Sequence, residues 1–202
     1  MVDENDNLKE CADEYGPLAR IDILVAHEAS ELRDTPMVKA AGKFGELADQ
    51  PPLISASIAV IFAGAATRHP RLLRTGVRML ASHVLATGIK TLIKNRIDRP
   101  RPNEAEKDGE HYIEQSDEDD GEKSSFPSGH TAGAAAVAQA VSREYTGAAP
   151  VAYASAGVAS LAQVPQAKHY PSDVLAGGMI GFVSEALVAF AVDRLVHRRG
   201  PF

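Results

Sequence analysis

The stretch PPLISASIAVIFAGAAT, from Pro51 to Thr67, holds no charged residue and decides the fold class. It predicts a helix that can cross a membrane, at the short end of the usual length, and it is the best single candidate for such a span. A basic cluster follows at once, formed by Arg68, His69, Arg71, Arg74 and Arg78. Basic residues beside an apolar run are typical of the cytoplasmic end of a spanning helix.

Four further segments have a helical pattern. They are Leu72 to Ile93, a stretch rich in Ala and Gly after His130, the uncharged run from Tyr145 to Ala167, and the run VLAGGMIGFVSEALVAFAV after Asp173. The last contains Gly177 and Gly181, a small-xxx-small pair that favours close helix packing. No useful length alternates with a period of two, so the sequence predicts an all-α fold, a helical bundle with about five spanning helices.

The first fifty residues differ from the rest in composition. From Pro17 to Asp49, apolar residues recur at helical spacing among charges, with Pro36 as a break, which predicts two short amphipathic helices. We therefore divide the chain into an amphipathic N-terminal segment, residues 1–50, and a helical membrane domain, residues 51–202. The opening MVDENDNLKE is acidic and predicts no cleaved export signal.

Composition excludes several classes of function. The net charge of -6 gives no broad electrostatic reason to bind nucleic acid. The single cysteine, Cys11, has no partner for an intramolecular disulfide and no ligand at metal spacing. The acidic run from Asp117 to Glu122 lacks the spacing of an EF-hand loop and is expected to be a solvated connection. We predict neither a metal nor another cofactor.

Three short pieces carry residues suited to phosphate chemistry: KNRIDRPRP (94–102), FPSGHT (126–131) and KHYPSD (168–173). Each lies at a predicted helix end, where backbone donors are free, and a bundle can gather all three at one end. Lys94 and Arg101 are seven positions apart and share a face if the helix continues. Both suit phosphate oxygens, although basic residues also cap spanning helices without any binding role.

The other two pieces contain histidines. Ser128 is a natural N-cap, Gly129 lets backbone amides approach an anion, and His130 falls in the first helical turn. His169 and Asp173 are four positions apart, which on one helical turn puts a carboxylate within reach of the imidazole. Taken alone, the first pattern is more often an ordinary helix start, and the second more often a surface contact.

In order and spacing, the three pieces together resemble the type 2 phosphatidic acid phosphatase superfamily, which includes vanadium haloperoxidases and bacterial class A acid phosphatases. The family's first motif, Lys, six residues, Arg-Pro, matches Lys94, Arg101 and Pro102. The second, Pro-Ser-Gly-His, matches residues 127–130. The third, Ser-Arg, five residues, His, three residues, Asp, matches at His169 and Asp173. The resemblance covers roughly Leu72 to Val196.

One position departs from the family pattern. Where the third motif has Ser-Arg, this chain has Ala162 and Gln163, so a neutral amide stands in place of a bidentate cation. The loss predicts weaker phosphate binding in the transition state, by about 3 kcal/mol if it resembles removal of one preorganised donor. Lys168 is a candidate to compensate, although a residue next to His169 need not point the same way.

The resemblance implies a metal-independent mechanism. Lys94, Arg101, Ser128 and the Gly129 amide, with Gln163 at the remaining position, would hold the phosphate. His169 would attack phosphorus to form a phosphohistidine, His130 would protonate the leaving oxygen, and Asp173 would orient His169. Water would then hydrolyse the intermediate, with His130 as base.

The basic clusters at residues 68–78 and 194–199 predict the orientation. If both lie in the cytoplasm, the motifs fall on the opposite face of a multi-pass protein of the cell (inner) membrane. A membrane enzyme so arranged would act on a lipid phosphate, such as phosphatidic acid, phosphatidylglycerol phosphate or a polyprenyl pyrophosphate. Two alternatives remain open: a soluble phosphatase or haloperoxidase-like enzyme, and a weak or inactive relative that binds lipid phosphate.

Overall fold

The computed structural model describes residues 16–108, 114–115 and 124–198. Its helices are α1 (Pro17–Ser30), α2 (Pro36–Gly45), α3 (Gln50–Ala66), α4 (Pro70–Lys94), α5 (Pro102–Asp108), α6 (Gly129–Glu144), α7 (Ala149–Leu161) and α8 (Pro171–Arg198). Short 3-10 turns lie at Glu46–Ala48 and Thr146–Ala148, and strands β1 (Ile97–Asp98) and β2 (Glu114–Gln115) pair antiparallel. The predicted all-α class is confirmed. The acidic run at 117–122 and Cys11 lie outside the described residues.

Five helices, α3, α4, α6, α7 and α8, form the bundle, with α6 packed against α4, α7 and α8. The C-terminal end of α4 meets the N-terminal ends of α3, α6 and α8 at one end of the bundle. The three motifs are therefore gathered at one end, as the sequence predicts. The number of membrane crossings stays a prediction, and α7, with 13 residues, is only about 20 Å long.

Two glycines of α8 bring it very close to α6. A Cβ on Gly177 would lie 2.4 Å from the Ser128 carbonyl oxygen, and one on Gly181 would lie 2.4 Å from that of Ala132. Both distances are far below van der Waals contact, so neither glycine tolerates a side chain without a shift of the backbone. The predicted small-xxx-small contact is confirmed, and it fixes the N-terminal end of α8 against the helix that carries His130.

The N-terminal segment forms the two predicted helices, α1 and α2, and it packs on the bundle. Asp22 of α1 accepts hydrogen bonds from the backbone N–H of Ser172 at 2.9 Å and from Arg99 Nη2 at 2.8 Å. Gly42 of α2 lies against the side chain of Gln166, in the loop before α8. The described part of this segment, residues 16–50, therefore contributes contacts to the end of the bundle that carries the motifs.

A buried ion cluster occupies the opposite end. Glu144 accepts two hydrogen bonds from Arg74, both at 2.7 Å, and a third from Arg78 at 2.5 Å. Arg78 also lies 3.2 Å from Asp193, and Arg143 is paired with the fully buried Glu185. The charge of Arg78 thus faces the protein interior. These pairs join α4, α6 and α8 far from the motifs.

The outer faces of the bundle are apolar and its interior is rich in small residues. On α8, Leu175 and Met179 are 70% and 68% exposed, whereas Ser184 and Glu185 are fully buried. By length and composition, Pro171–Arg194 is the one helix among the described residues that is able to cross a membrane alone.

A second candidate span needs two helices taken together, Pro36–Ala48 with Gln50–Ala66, which are bent by 56° at their junction. The preference for residues 51–67 as the best single span is therefore wrong. The reason is length, because α3 has 17 residues and ends at Ala66.

Candidate active site

A polar pocket of about 320 Å³ opens where the three motifs meet. Its walls are formed by Ala48, Asp49, Gln50, Pro51, Lys90, Lys94, Arg101, Gly129, His130 and His169. Of the residues predicted from the sequence, Lys94, Arg101, Gly129, His130 and His169 line this pocket. Ser128, Gln163 and Asp173 do not, and each is almost completely buried behind it.

The first motif reaches the pocket by a different route from the one predicted. Helix α4 ends at Lys94, and the chain passes through β1 before Arg101, so the two cations do not share a helical face. The turn of the chain nevertheless returns Arg101 to the same pocket. Lys94 Nζ donates a hydrogen bond to the carbonyl of Ser124, which ties the end of α4 to the segment that leads into α6.

The second motif begins α6. Ser128 is its N-cap, as predicted, since its hydroxyl accepts from the Thr131 N–H at 3.4 Å and from the Thr131 hydroxyl at 3.1 Å. This hydroxyl therefore serves the helix start, and Ser128 does not line the pocket. Gly129 and His130 occupy the first turn and line the pocket. His130 Nε2 lies 2.7 Å from Asp49 Oδ1, a partner that the sequence did not indicate.

The third motif places His169 in the loop before α8. His169 Nδ1 lies 2.8 Å from the carbonyl oxygen of Ser125 and 3.7 Å from Asp173 Oδ2. The Asp173 carboxylate therefore lies within ion-pair distance of the imidazole, as the sequence predicts, while the hydrogen-bond partner of Nδ1 is the Ser125 carbonyl. A carbonyl can only accept, so Nδ1 carries the proton and Nε2 keeps its lone pair.

Asp173 is held by other groups. Its Oδ2 accepts from the backbone N–H of Tyr170 at 2.8 Å, and its Oδ1 accepts from Arg99 Nη1 at 2.5 Å. Arg99 is buried, stacks over the Tyr170 ring at 3.8 Å, and bridges Asp173 to Asp22. This arginine lies inside the first motif but was not singled out from the sequence.

The electrostatics of His169 suit a nucleophile. Burial lowers the pKa of His169, and the positive charges of Lys94 and Arg101 lower it further, whereas the Asp173 carboxylate opposes them. The imidazole is thereby kept neutral, and a neutral Nε2 can attack an electrophile.

Gln163 does not take a place in the pocket wall. It is 1% exposed, and its Nε2 donates to the Ala159 carbonyl at 3.1 Å, one turn earlier in the chain. Its Oε1 has no hydrogen-bond partner among the described residues. Lys168, the candidate to compensate for it, does not line the pocket either.

An apolar groove adjoins the polar pocket. It has a volume of about 250 Å³ and is lined by Phe44, Leu47, Ala48, Leu53, Ala134, Val137, Ala138, Val141, Ala152, Ser155, Ala156 and Ala159. Ala48 belongs to both walls, so the groove and the pocket are neighbours. The residues from α6 begin one turn beyond His130 and continue along one face of that helix.

The family model described as PAP2 superfamily matches residues 75–196, which include all three motifs. The chain belongs to the PAP2 superfamily. This is the superfamily that the motifs resemble, and membership supports a phosphatase-type function for the pocket. No curated protein sequence matches the chain significantly.

A solved PAP2 structure has the same fold. It is the crystal structure of the first transmembrane PAP2 type phosphatidylglycerolphosphate phosphatase from Bacillus subtilis. The two chains superpose with a TM-score of 0.67 over 92% of each, at 20% sequence identity. At this identity the likeness establishes the helical fold, and the substrate of the bacterial enzyme is a property of that enzyme.

Proposed function

We propose that this PAP2 protein is a membrane phosphatase that hydrolyses a lipid-linked phosphate monoester or pyrophosphate through a phosphohistidine on His169. The observation that carries the proposal is the adjacency of the polar pocket and the apolar groove at Ala48. Cations and two histidines suit a phosphate group, and a trough of small apolar side chains suits a hydrocarbon chain. A lipid phosphate is the substrate class that combines both.

The outer surface of the bundle supports the membrane location. Large apolar side chains are exposed on α8, while its polar residues Ser184 and Glu185 point inward. This inversion of the usual pattern is expected of a helix that faces lipid. Arg68 and Arg194 are exposed at the end opposite the pocket, which favours a cytoplasmic location for that end and an extracytoplasmic active site.

The reaction needs a nucleophile and a group that can give and take a proton. His169 supplies the first and His130 the second. His169 Nε2 attacks phosphorus, the P–O bond to the leaving group breaks, and protonated His130 gives its Nε2 proton to the leaving oxygen and becomes neutral. Water then attacks the phosphohistidine as His130 takes its proton, the P–N bond breaks, and inorganic phosphate leaves. Lys94, Arg101 and the amides at the start of α6 would stabilise the charge on the phosphate oxygens.

The test is phosphate release from phosphatidic acid, phosphatidylglycerol phosphate and a polyprenyl pyrophosphate in detergent micelles, with excess chelator present. We expect turnover of at least one of them, and inhibition by vanadate. With labelled substrate, we expect an acid-labile phosphoryl group on the wild type and none on His169→Ala.

The matched control is His27→Ala, since His27 lies in α1 and contacts Glu106 away from the pocket. That variant should keep both turnover and labelling. Turnover by His169→Ala at the wild-type rate would refute the assigned nucleophile. Absence of turnover on all three lipids, with vanadate still bound, would favour a relative that binds lipid phosphate without hydrolysing it.

A further inference from the structure

The pocket contains a cation that the three motifs do not include. Lys90 lies on α4, one helical turn before Lys94, so both side chains leave the same face of the helix. Lys90 lines the pocket together with Lys94 and Arg101. Among the described residues, no hydrogen bond or ion pair engages its ammonium group, whereas Lys94 Nζ is already bonded to the Ser124 carbonyl.

The position of Lys90 relative to α6 is well defined. Its Cδ lies 3.0 Å, and its Nζ 3.5 Å, from the point that a Cβ on Gly129 would occupy. The lysine stem therefore crosses the first residue of α6 and brings its ammonium beside the free N–H groups of that helix. A phosphate bound at this helix start would meet the amides and the Lys90 ammonium together.

The other residues of the site supply little positive charge for a phosphate group. Position 163 holds a neutral amide that is buried and bonded within its own segment. Lys168 does not line the pocket, and the carboxylate of Asp49 is engaged by His130. Without Lys90, a phosphate dianion would meet only Lys94 and Arg101 among the cations that line the pocket. Lys94 would first have to share or release its hydrogen bond to the Ser124 carbonyl.

We propose that Lys90 binds a phosphate oxygen in this pocket and supplies the positive charge that Gln163 does not. This inference rests on the proposed function where its effect is measured as the rate of lipid phosphate hydrolysis. Binding of orthovanadate or inorganic phosphate tests it separately, because an anion site needs no reaction. Lys90→Met keeps the length and the apolar stem and removes only the charge.

The experiment compares Lys90→Met, Lys90→Arg and the matched control Lys43→Met, an exposed lysine of α2 that does not line the pocket, in the full-length protein in detergent. We expect Lys90→Met to weaken vanadate binding about tenfold and to lower kcat/KM for a lipid phosphate about 10- to 100-fold, as expected for the loss of one preorganised donor. Lys90→Arg should recover most of both, and Lys43→Met should stay close to wild type. Unchanged vanadate affinity in Lys90→Met would overturn the proposal.

A second comparison asks whether Lys90 and position 163 serve the same need. Gln163→Arg should raise kcat/KM more in the Lys90→Met background than in the wild type, since each cation substitutes for the other. Equal gains in both backgrounds would show that Lys90 does not take the place of a cation at position 163. If the buried arginine prevents folding, the vanadate affinities of the Lys90 variants still decide.

The results also separate failure of this inference from failure of the proposed function. Wild-type protein that binds vanadate but hydrolyses no lipid phosphate would refute the phosphatase, and weaker binding by Lys90→Met would then still support the lysine. Wild-type protein that binds neither vanadate nor phosphate would refute both.

Discussion

His130 Nε2 and Asp49 Oδ1 lie 2.7 Å apart, and this contact joins the second motif to the residue that immediately precedes α3. A carboxylate at this distance accepts the Nε2 proton, so it orients the ring and keeps the hydrogen on the nitrogen that lines the pocket. The N-terminal segment thus contributes directly to the environment of the proposed general acid. Asp49 is half exposed, so an entering substrate can displace it.

The first prediction concerns Asp49→Asn. We expect kcat to fall about tenfold for alkyl lipid phosphates and to change little for aryl phosphates, whose leaving groups need less protonation. The measurement is kcat across a series of leaving groups, with Asp34→Asn, an exposed position of the same segment, as the control. A rise in kcat for every substrate would mean that Asp49 mainly repels the phosphate.

The second prediction concerns Arg99, whose guanidinium neutralises two buried carboxylates, Asp22 and Asp173. Arg99→Met leaves both without their partner, so we expect the free energy of unfolding to fall by about 3–5 kcal/mol, the usual cost of breaking a buried ion pair from one side. Thermal or denaturant unfolding measures it. Arg96→Met, an exposed arginine on the same loop, should have little effect.

Adding Asp22→Asn to Arg99→Met provides the internal check. The double variant should recover part of the lost stability, because one of the two stranded charges is gone. Strictly additive losses would show that Arg99 stabilises the fold through its stacking on Tyr170 more than through its charge.

Features that depend on the local sequence could be predicted, whereas contacts between distant parts of the chain could not. Motif order and helical pattern predicted the bundle and the five pocket residues, since they depend on local chemistry. The spacing of His169 and Asp173 predicted that the carboxylate lies within reach of the imidazole, and the two are 3.7 Å apart. It did not predict the hydrogen-bond partner of Nδ1. The acceptor is the carbonyl of Ser125, and a sequence carries no signal for which backbone carbonyl will face a distant imidazole.

Three other contributors escaped prediction for a related reason. Asp49, Arg99 and Lys90 become relevant only when distant parts of the chain meet, and none is one of the residues that define the motifs. Of the three, only Lys90 could have been found from the sequence, because it precedes Lys94 by one helical turn and so lies on the same helical face. A basic residue one helical turn before the lysine of such a motif shares its face of the helix. It is therefore a candidate phosphate ligand as well as a residue of the membrane interface.

The third prediction concerns pH. Since burial lowers the pKa of His169 below its ordinary value of 6.5, the acid limb of kcat/KM that reports this group should lie below that pH. The Asp173 carboxylate raises the pKa of His169, so Asp173→Asn should move the limb to still lower pH while reducing the rate. Both proteins are compared on one substrate, which cancels titration of the substrate phosphate. A limb displaced to higher pH would contradict the assignment.

The last prediction tests the apolar groove. Ala156 lines it from α7, whereas Ala154, two positions earlier, is exposed on the outside of the same helix. Ala156→Leu narrows the groove and should raise KM for long-chain lipid phosphates about tenfold. For short-chain analogues it should change KM little, because they need less of the groove. Ala154→Leu adds the same side chain outside the groove and should change neither KM value. An equal rise for long and short chains would place the hydrocarbon chain elsewhere, since it would show that Ala156→Leu disturbs the phosphate pocket itself.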